Sequence, residues 1–312
     1  MIRPFKLTPA FKDYIWGGKK LKSKYGKASD LPKLAESWEL SCHPDGESII
    51  ADGDFKGMTF SQFLKSQNQP PVPILIKLID TDEDLSVQVH PDNEYARVHE
   101  NDSGKTEMWI VLECETGAYV RLGFNRDISK EAFINRLKGY EITDVLRKVK
   151  VRKGDVMFIP AGTVHSIGKG VVLVEIQQCS NATYRIDDFE RLGSDGNLRP
   201  LHIEKALDVI DFTLYKEKPV GAGILSSSKE YIHMRLVACD YFCTDRLELK
   251  GSFLFSCENK NFVCVLCVDG SVTIESESGT LALSKGETAF IPSGHKNVSF
   301  KGQGQVIIVY EG

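Results

Sequence analysis

The sequence predicts a mainly β protein built from two related barrels with helices inserted between the strands. Short apolar or alternating runs bounded by Gly, Pro and Asp recur along the chain, a density typical of sandwiches and barrels. In addition, KGDVMFIPAGTVHSI at 153–167 aligns without gaps on KGETAFIPSGHKNVS at 285–299. Such self-similarity indicates that one fold unit has been used twice.

The first two thirds of the chain contain the clearest strand patterns. Each run is short, apolar or alternating, and bounded by turn residues, as barrel strands are. The runs are PILIKLI (73–79), DLSVQVH (84–90), EMWIVLEC (107–114), AYVRLGF (118–124), DVMFIP (155–160) and VVLVEIQQ (171–178). We expect all six to be strands.

Helical segments interrupt these strands. Thr59 and Gln62 form a capping-box pattern, and Ser129 is a suitable N-cap before SKEAFINRLKGY. The predicted helical insertions cover about 59–67, 92–102, 129–148 and 202–210.

A second series of strands follows residue 215. We therefore predict a metal-binding domain at 1–215 and a second, degenerate β domain at 216–312. In the internal alignment His165 falls on Asn297, so the second copy lacks the imidazole of the first.

Composition excludes several classes of protein. The 312 residues carry a formal net charge of −4, which gives no broad basic field for nucleic acid. No apolar run approaches the roughly 18 residues of a membrane helix, and no signal-peptide pattern is visible, so we expect a cytoplasmic protein. The eight cysteines are scattered through β-rich sequence, which predicts free thiols rather than a disulfide framework.

One motif predicts a buried imidazole. Gly154, Pro160, Gly162 and His165 have the spacing G-x5-P-x-G-x2-H, which describes a tight turn, a strand and a Pro-Gly hairpin that presents one histidine. This spacing resembles the second signature motif of the cupin superfamily of small metal-holding β barrels. The first cupin motif supplies an H-x-H pair and then a Glu, and Gln88-x-His90 stands where that pair would be.

Four side chains could meet at one point inside such a barrel. Gln88 and His90 are two residues apart on a strand and project to the same face. Glu107 and His165 would reach them from other strands. Two imidazoles, a carboxylate and an amide oxygen, with room for water or substrate, suit Zn²⁺ in an open catalytic site. The alternative for His90 alone is a hydrogen-bonded interior histidine.

A narrower resemblance follows from six stretches in order. The chain resembles type I mannose-6-phosphate isomerase, in the short bacterial form of that family. The stretches are YIWGG (14–18), AESWELSCHPDG (35–46), LIKLIDTDEDLSVQVHPD (75–92), GKTEMWIVL (104–112), PAGTVHSIG (160–168) and EIQQCSNATYRIDDFER (175–191). The resemblance implies the fold, the isomerase activity and one Zn²⁺ per chain.

The resemblance also implies roles for individual residues. The implied metal ligands are Gln88, His90, Glu107 and His165. The implied catalytic residues are Arg185, Lys105 and Glu175, and the implied substrate-binding residues are Lys77, Lys105 and Arg185. The chain departs from the family in one place, because Asn181 stands where an acidic residue is usual.

The positions of Lys105, Lys77 and Arg185 in the sequence can also be interpreted without the resemblance. Lys105 lies two residues before a proposed ligand, so it should share that ligand's strand face. Lys77 sits between apolar residues, where a buried ammonium needs an anion unless its chain extends to the barrel rim. Arg185 could grip a phosphate, or pair with Asp187 or Asp188.

The predicted reaction interconverts mannose 6-phosphate and fructose 6-phosphate through a cis-enediol. Glu175, Lys105 and a metal-bound water remain candidates for the proton transfer. The expected partner is a small sugar phosphate, with no nucleic acid or membrane, and the chain is a monomer or homodimer. Two alternatives are a metal-dependent cupin oxygenase, which would have no need of the three cations, and a non-catalytic sugar-binding barrel.

Overall fold

Strands dominate the computed structural model, which describes residues 1–193, 195–216, 221 and 223–312. The strands in chain order are β1 (Phe5–Thr8), β2 (Ala10–Lys12), β3 (Glu36–Leu40), β4 (Ile49–Ile50), β5 (Ile74–Asp80), β6 (Val87–Val89), β7 (Glu107–Cys114), β8 (Tyr119–Phe124), β9 (Leu146–Lys150), β10 (Val156–Ile159), β11 (His165–Ile167), β12 (Val171–Gln178), β13 (Tyr184–Asp187), β14 (Gly223–Ser227), β15 (Tyr231–Ala238), β16 (Cys243–Leu249), β17 (Ser252–Ser256), β18 (Phe262–Ser276), β19 (Gly279–Ser284), β20 (Thr288–Pro292) and β21 (Asn297–Tyr310). The predicted mainly β class is confirmed.

Short helices connect the strands. They are α1 (Lys20–Lys24), α2 (Phe60–Ser66), α3 (Asn93–His99), α4 (Lys130–Lys138) and α5 (Ile203–Val209), with a 3₁₀ turn at Ile142–Val145. Thr59 and Gln62 cap α2 reciprocally, and the Ser129 hydroxyl caps α4. Helix α1 was not predicted, and its N-cap residue, Lys19, makes no side-chain capping hydrogen bond. Among the described helices, none is long and apolar enough to cross a bilayer.

The described strands pair into three sheets. One has six strands in the order β10-β7-β12-β5-β3-β2, and a second has five in the order β13-β6-β11-β8-β9. The third sheet has ten strands. It follows the path β14-β15-β16-β21-β18-β20-β1-β4, with β17 paired with β21 and β19 paired with β18. The site described below lies between the six-stranded and five-stranded sheets.

The six-stranded sheet is buried on both faces. Trp109 and Leu173 point inward and pack with residues of the five-stranded sheet, in a cluster that includes Leu122. Met108 and Val174 point the other way, into a cluster shared with the ten-stranded sheet. Because neighbouring residues of a strand face opposite sides, every second residue of β5, β7 and β12 is directed toward the space between the first two sheets.

N-terminal strands complete the sheet of the C-terminal segment. Strand β1 pairs with β20, with Phe5 opposite Phe290, and β4 pairs with β1. The Phe5 ring also packs edge-on against Phe63 of α2, with ring centroids 5.0 Å apart. Residues near the N-terminus therefore share a core with residues after 215. The division of the chain at residue 215 stays a prediction.

The internal repeat has a backbone counterpart. Gly162 and Gly294, which occupy equivalent positions, both adopt positive φ angles, of 85° and 99°. Only glycine takes this conformation without strain, so both copies make the same turn into the following strand. The next strands begin differently, because His165 is buried whereas Asn297 is exposed. The arrangement as two barrels stays a prediction.

The substitution Ile307→Val tests the core shared by the two largest sheets. Ile307 on β21 is fully buried in this core, and removing one methyl group leaves a small void. We expect a loss of about 1 kcal/mol in the free energy of unfolding, measured by urea denaturation. The matched control is Ile224→Val, since Ile224 is 60% exposed. Equal effects of the two variants would contradict this packing.

Candidate active site

Three buried side chains from three strand segments meet between the two sheets. His90 follows β6, Glu107 begins β7 and His165 begins β11. His90 Nε2 lies 3.5 Å from Glu107 Oε2, and His165 Nε2 lies 3.4 Å from Glu107 Oε1. One ligand atom from each residue lies within 4.8 Å of the other two, so the group could hold a metal ion.

Both imidazole rings are oriented by backbone carbonyls. His90 Nδ1 lies 2.8 Å from the carbonyl oxygen of Ala182, and His165 Nδ1 lies 2.9 Å from that of Thr163. A carbonyl only accepts hydrogen bonds, so each Nδ1 carries the hydrogen and each Nε2 keeps its lone pair. Burial and the charge of Lys105 lower the pKa of His165 to about 4 and that of His90 well below its ordinary value. Both rings are therefore neutral at neutral pH.

The group contains two buried acceptors without a partner in the part of the chain that the structure describes. Among those residues, neither Glu107 Oε1 nor His165 Nε2 has a hydrogen-bond partner. An unpaired buried acceptor is costly, because it has lost water and gained nothing in exchange. Two nitrogen donors and a carboxylate oxygen around these atoms match the donor set of a divalent transition metal. The residues therefore fit a metal ion.

A lysine connects this group to a second carboxylate. Lys105 Nζ lies 2.8 Å from His90 Nε2, contacts Glu107 Oε2 closely, and lies 3.9 Å from Glu175 Oε1. Burial and the nearby charge of Glu175 raise the pKa of Glu107 to about 7, against the opposing effect of Lys105. Lys105 therefore offsets part of the negative charge of this buried group.

Glu175 is held as a carboxylate between two lysines. Lys77 Nζ lies 3.2 Å from Glu175 Oε1 and 3.6 Å from Glu36 Oε2. Trp109 donates its indole N–H to Glu175 Oε2 at 3.0 Å. Burial alone would raise the pKa of Glu175, but Lys105, Lys77 and this hydrogen bond outweigh burial and lower it. Lys77 is buried and pairs with two carboxylates, which supply the anions that a buried ammonium needs.

A cavity of about 270 Å³ opens onto these groups. Lys105 lies in its wall and contacts the His90–Glu107–His165 group from there. Polar and charged side chains of the wall include Tyr14, Glu36, Lys77, Gln88, Lys105, Glu175, Asn181, Arg185 and Arg199. A polar ligand of small-molecule size would therefore meet cations and carboxylates together.

Arg185 lies in this wall without a carboxylate of its own. Its strand β13 pairs with β6, which sets Arg185 opposite Gln88. One guanidinium nitrogen donates to the carbonyl of Pro200 at 2.8 Å, while Nε is buried and has no hydrogen-bond partner in the described part of the chain. Asp188 is instead engaged by Arg191 and Arg199. Burial and the charges of those two arginines lower the pKa of Arg185, as expected where cations outnumber anions.

The structure thus gathers the residues selected from the sequence around one cavity. His90, Glu107 and His165 form the group behind it, Lys77, Lys105 and Glu175 form a charged network, and Gln88 and Arg185 lie in the wall. Their roles stay predictions.

Sequence reasoning missed the residues that support this network. Glu36 pairs with Lys77, and Trp109 orients Glu175. A signal was present for Glu36, since it stands two residues before Trp38 in ESWEL, a spacing that puts both on one face of a strand. No sequence signal distinguishes Trp109 from an ordinary core residue.

Comparisons with known proteins agree with one another. Residues 4–113 match the family "Phosphomannose isomerase type I, catalytic domain", and residues 232–311 match "Mannose-6-phosphate isomerase, cupin domain". The chain is 33% identical to mannose-6-phosphate isomerase ManA of Bacillus subtilis over 98% of both chains. It is also 33% identical to a mannose-6-phosphate isomerase of Streptococcus mutans over 98% of both. The crystal structure of the mannose 6-phosphate isomerase from B. subtilis superposes with a TM-score of 0.92, at 30% identity, covering 99% of each chain.

Proposed function

The chain belongs to the type I phosphomannose isomerase family and is an isomerase of mannose 6-phosphate, and we propose that it forms fructose 6-phosphate through a cis-enediol with one zinc ion per chain. The observation that carries the proposal is the buried His90–Glu107–His165 group. Two of its acceptor atoms lack hydrogen-bond partners within the described ranges, and the group adjoins a cavity lined by lysines and arginines.

The reaction places negative charge next to this group. A proton leaves C2, a cis-enediol forms, and a proton returns to C1, so charge develops on the oxygens of C1 and C2. A zinc ion held by Gln88, His90, Glu107 and His165 would supply Lewis-acid stabilisation of that charge. Lys105, in contact with both His90 and Glu107, is the protein's own cation at the same place.

The cations Lys77, Lys105 and Arg185 differ in their contact partners, and this difference suggests separate roles. Lys77 and Lys105 contact Glu175, so they act next to the sugar carbons where protons move. Arg185 has a carbonyl partner and a buried, unpartnered Nε, and a planar guanidinium suits a phosphate. We therefore assign the phosphate to Arg185, and the oxygens of C1 and C2 to Lys105 and Lys77.

Glu175 is our choice for the group that moves the proton. It is ionised because two lysines and Trp109 lower its pKa, so it can accept a proton from C2. A shift of Lys105 toward the charged oxygens of the substrate would weaken that effect and make Glu175 a stronger base. The oxygenase alternative has no role for this network, and no contact in the described residues favours it. Cytoplasmic location and a monomeric or homodimeric state stay predictions.

Chelation tests the reaction and the metal together. We expect a chelator to abolish formation of fructose 6-phosphate from mannose 6-phosphate, because the charged oxygens lose their strongest stabilising group. One equivalent of zinc should restore the rate. Full activity in protein shown to be metal-free would contradict the zinc proposal, and no activity at any zinc concentration in folded protein would contradict the proposed reaction.

A further inference from the structure

Two cysteines, each just after the end of a different strand, lie close together outside the group described above. Cys42 follows β3 and Cys179 follows β12, on either side of the segment that leads into β5. Their sulfurs lie 3.8 Å apart. Cys42 Sγ also lies 3.2 Å from the carbonyl of Val72, and the backbone N–H of Cys179 donates to the carbonyl of Pro73. The two thiols therefore face each other across one short stretch of chain.

This thiol pair is accessible to small molecules. Both cysteines line a cavity of about 610 Å³, whose wall also includes His43, Asp45 and Asp102. Each cysteine is only half-buried, unlike Cys264 and Cys267 in the core of the C-terminal sheet. A compact reagent can reach Cys42 and Cys179 without unfolding the chain.

We propose that Cys42 and Cys179 are a redox modification site, which a low-molecular-weight disulfide converts into an intramolecular disulfide and which thiols reduce again. The Cys42 thiolate attacks one sulfur of the reagent and expels one thiolate, leaving a mixed disulfide on Cys42. Cys179 then attacks the Cys42 sulfur and expels the second thiolate. The two protein thiols give up two electrons and two protons, and the reagent leaves as two free thiols.

The contacts of the pair select Cys42 as the first nucleophile. The hydrogen bond from Cys179 lowers the pKa of Cys42, against the effect of burial. The same hydrogen bond, together with burial and the charge on Cys42, raises the pKa of Cys179. Once Cys42 is in a mixed disulfide, both the hydrogen bond to its thiolate and its charge are gone, so Cys179 ionises more readily and completes the exchange.

Formation of the disulfide requires movement of the segments that connect the strands. A disulfide requires an S–S distance of about 2.05 Å, so the sulfurs must approach each other beyond their present 3.8 Å. Cys42 and Cys179 both lie just outside their strands, where backbone can shift without breaking the sheet ladder. The segment after Cys179 includes Ala182, whose carbonyl holds the His90 ring. Closing the disulfide therefore pulls on a residue that orients a proposed metal ligand.

Peptide mapping after treatment with oxidised glutathione tests the proposal in the full-length protein. In the wild type we expect a cross-linked Cys42–Cys179 peptide and the loss of two free thiols, both reversed by dithiothreitol. Cys179→Ser should stop at a glutathione adduct on Cys42, and Cys42→Ser should form no cross-linked peptide. The matched control is Cys114→Ser, which removes another half-buried thiol bonded to a backbone carbonyl and should cross-link like the wild type.

The proposal is overturned if the wild type keeps both thiols, or if Cys42 ends as a stable adduct while Cys179 stays reduced. Isomerase activity is a second readout, and it alone rests on the proposed function. We expect the cross-linked form to be roughly tenfold or more slower, as when an outer partner of a metal ligand is disturbed. A cross-link with unchanged activity would refute the coupling to His90. Absence of isomerase activity even in the reduced protein would refute the proposed function and leave the thiol mapping intact.

Discussion

The variant His165→Ala is expected to purify without stoichiometric zinc and to lose on the order of 10³-fold in kcat/KM for mannose 6-phosphate. His165 Nε2 lies 3.4 Å from Glu107 Oε1, and neither atom has a hydrogen-bond partner among the described residues. Removing the ring therefore removes a proposed metal ligand while breaking only one internal hydrogen bond, that from Nδ1 to Thr163. The chain should stay folded, so loss of metal can be separated from loss of structure.

Zinc content by mass spectrometry and the isomerase rate are the two measurements. The matched control is His295→Ala. His295 is also buried, has Nε2 next to the carbonyl of Ile2 and Nδ1 without a partner, but lies far along the chain from the other three residues. This variant should keep zinc and activity. Stoichiometric zinc in folded His165→Ala would refute the proposed ligand set.

The proposed ligand group was accessible to sequence reasoning because its prediction depends on strand periodicity. Residues two apart on a strand share a face, and this rule predicts that Gln88 in β6 and His90 just after it project to one side. The turn before β11 requires glycine at Gly162. Strand β11 then pairs with β6 and sets His165 opposite Gln88. These features are local, so a short stretch of sequence is enough to predict them.

The supporting residues were not accessible, because their roles depend on partners distant in sequence. Glu36 and Lys77 become an ion pair only when β3 and β5 are neighbours. Trp109 acts on Glu175 across the β7–β12 ladder, although on its own strand it resembles any core aromatic. The same limit applies to the fold, since nothing in the FKLT run of β1 indicates that it will join the sheet built from residues after 223.

The variant Arg185→Ala is expected to lose about 10²-fold or more in kcat/KM for mannose 6-phosphate. The reason is that Arg185 lies in the cavity wall as a desolvated guanidinium whose hydrogen-bond partner is the carbonyl of Pro200. Among the described residues no carboxylate lies within 4.0 Å of it, so it keeps its capacity for an anion. Most of the loss should appear as a higher KM, because a phosphate is gripped equally in substrate and transition state.

Two further variants separate a phosphate contact from a structural one. Arg185→Lys keeps the charge but loses the planar fork, so it should fall between wild type and Arg185→Ala. Arg246→Ala is the matched control, since Arg246 is also a half-buried arginine but belongs to β16 of the ten-stranded sheet, where its Nε lies 3.3 Å from Glu248 Oε1. If Arg185→Ala matched the wild type in kcat/KM, the guanidinium would be structural. If it lost activity only through a lower melting temperature, shared by Arg246→Ala, the same conclusion would hold. A KM effect confined to position 185 would instead mean that the two arginines clamped by Asp188 leave this third cation available for the phosphate.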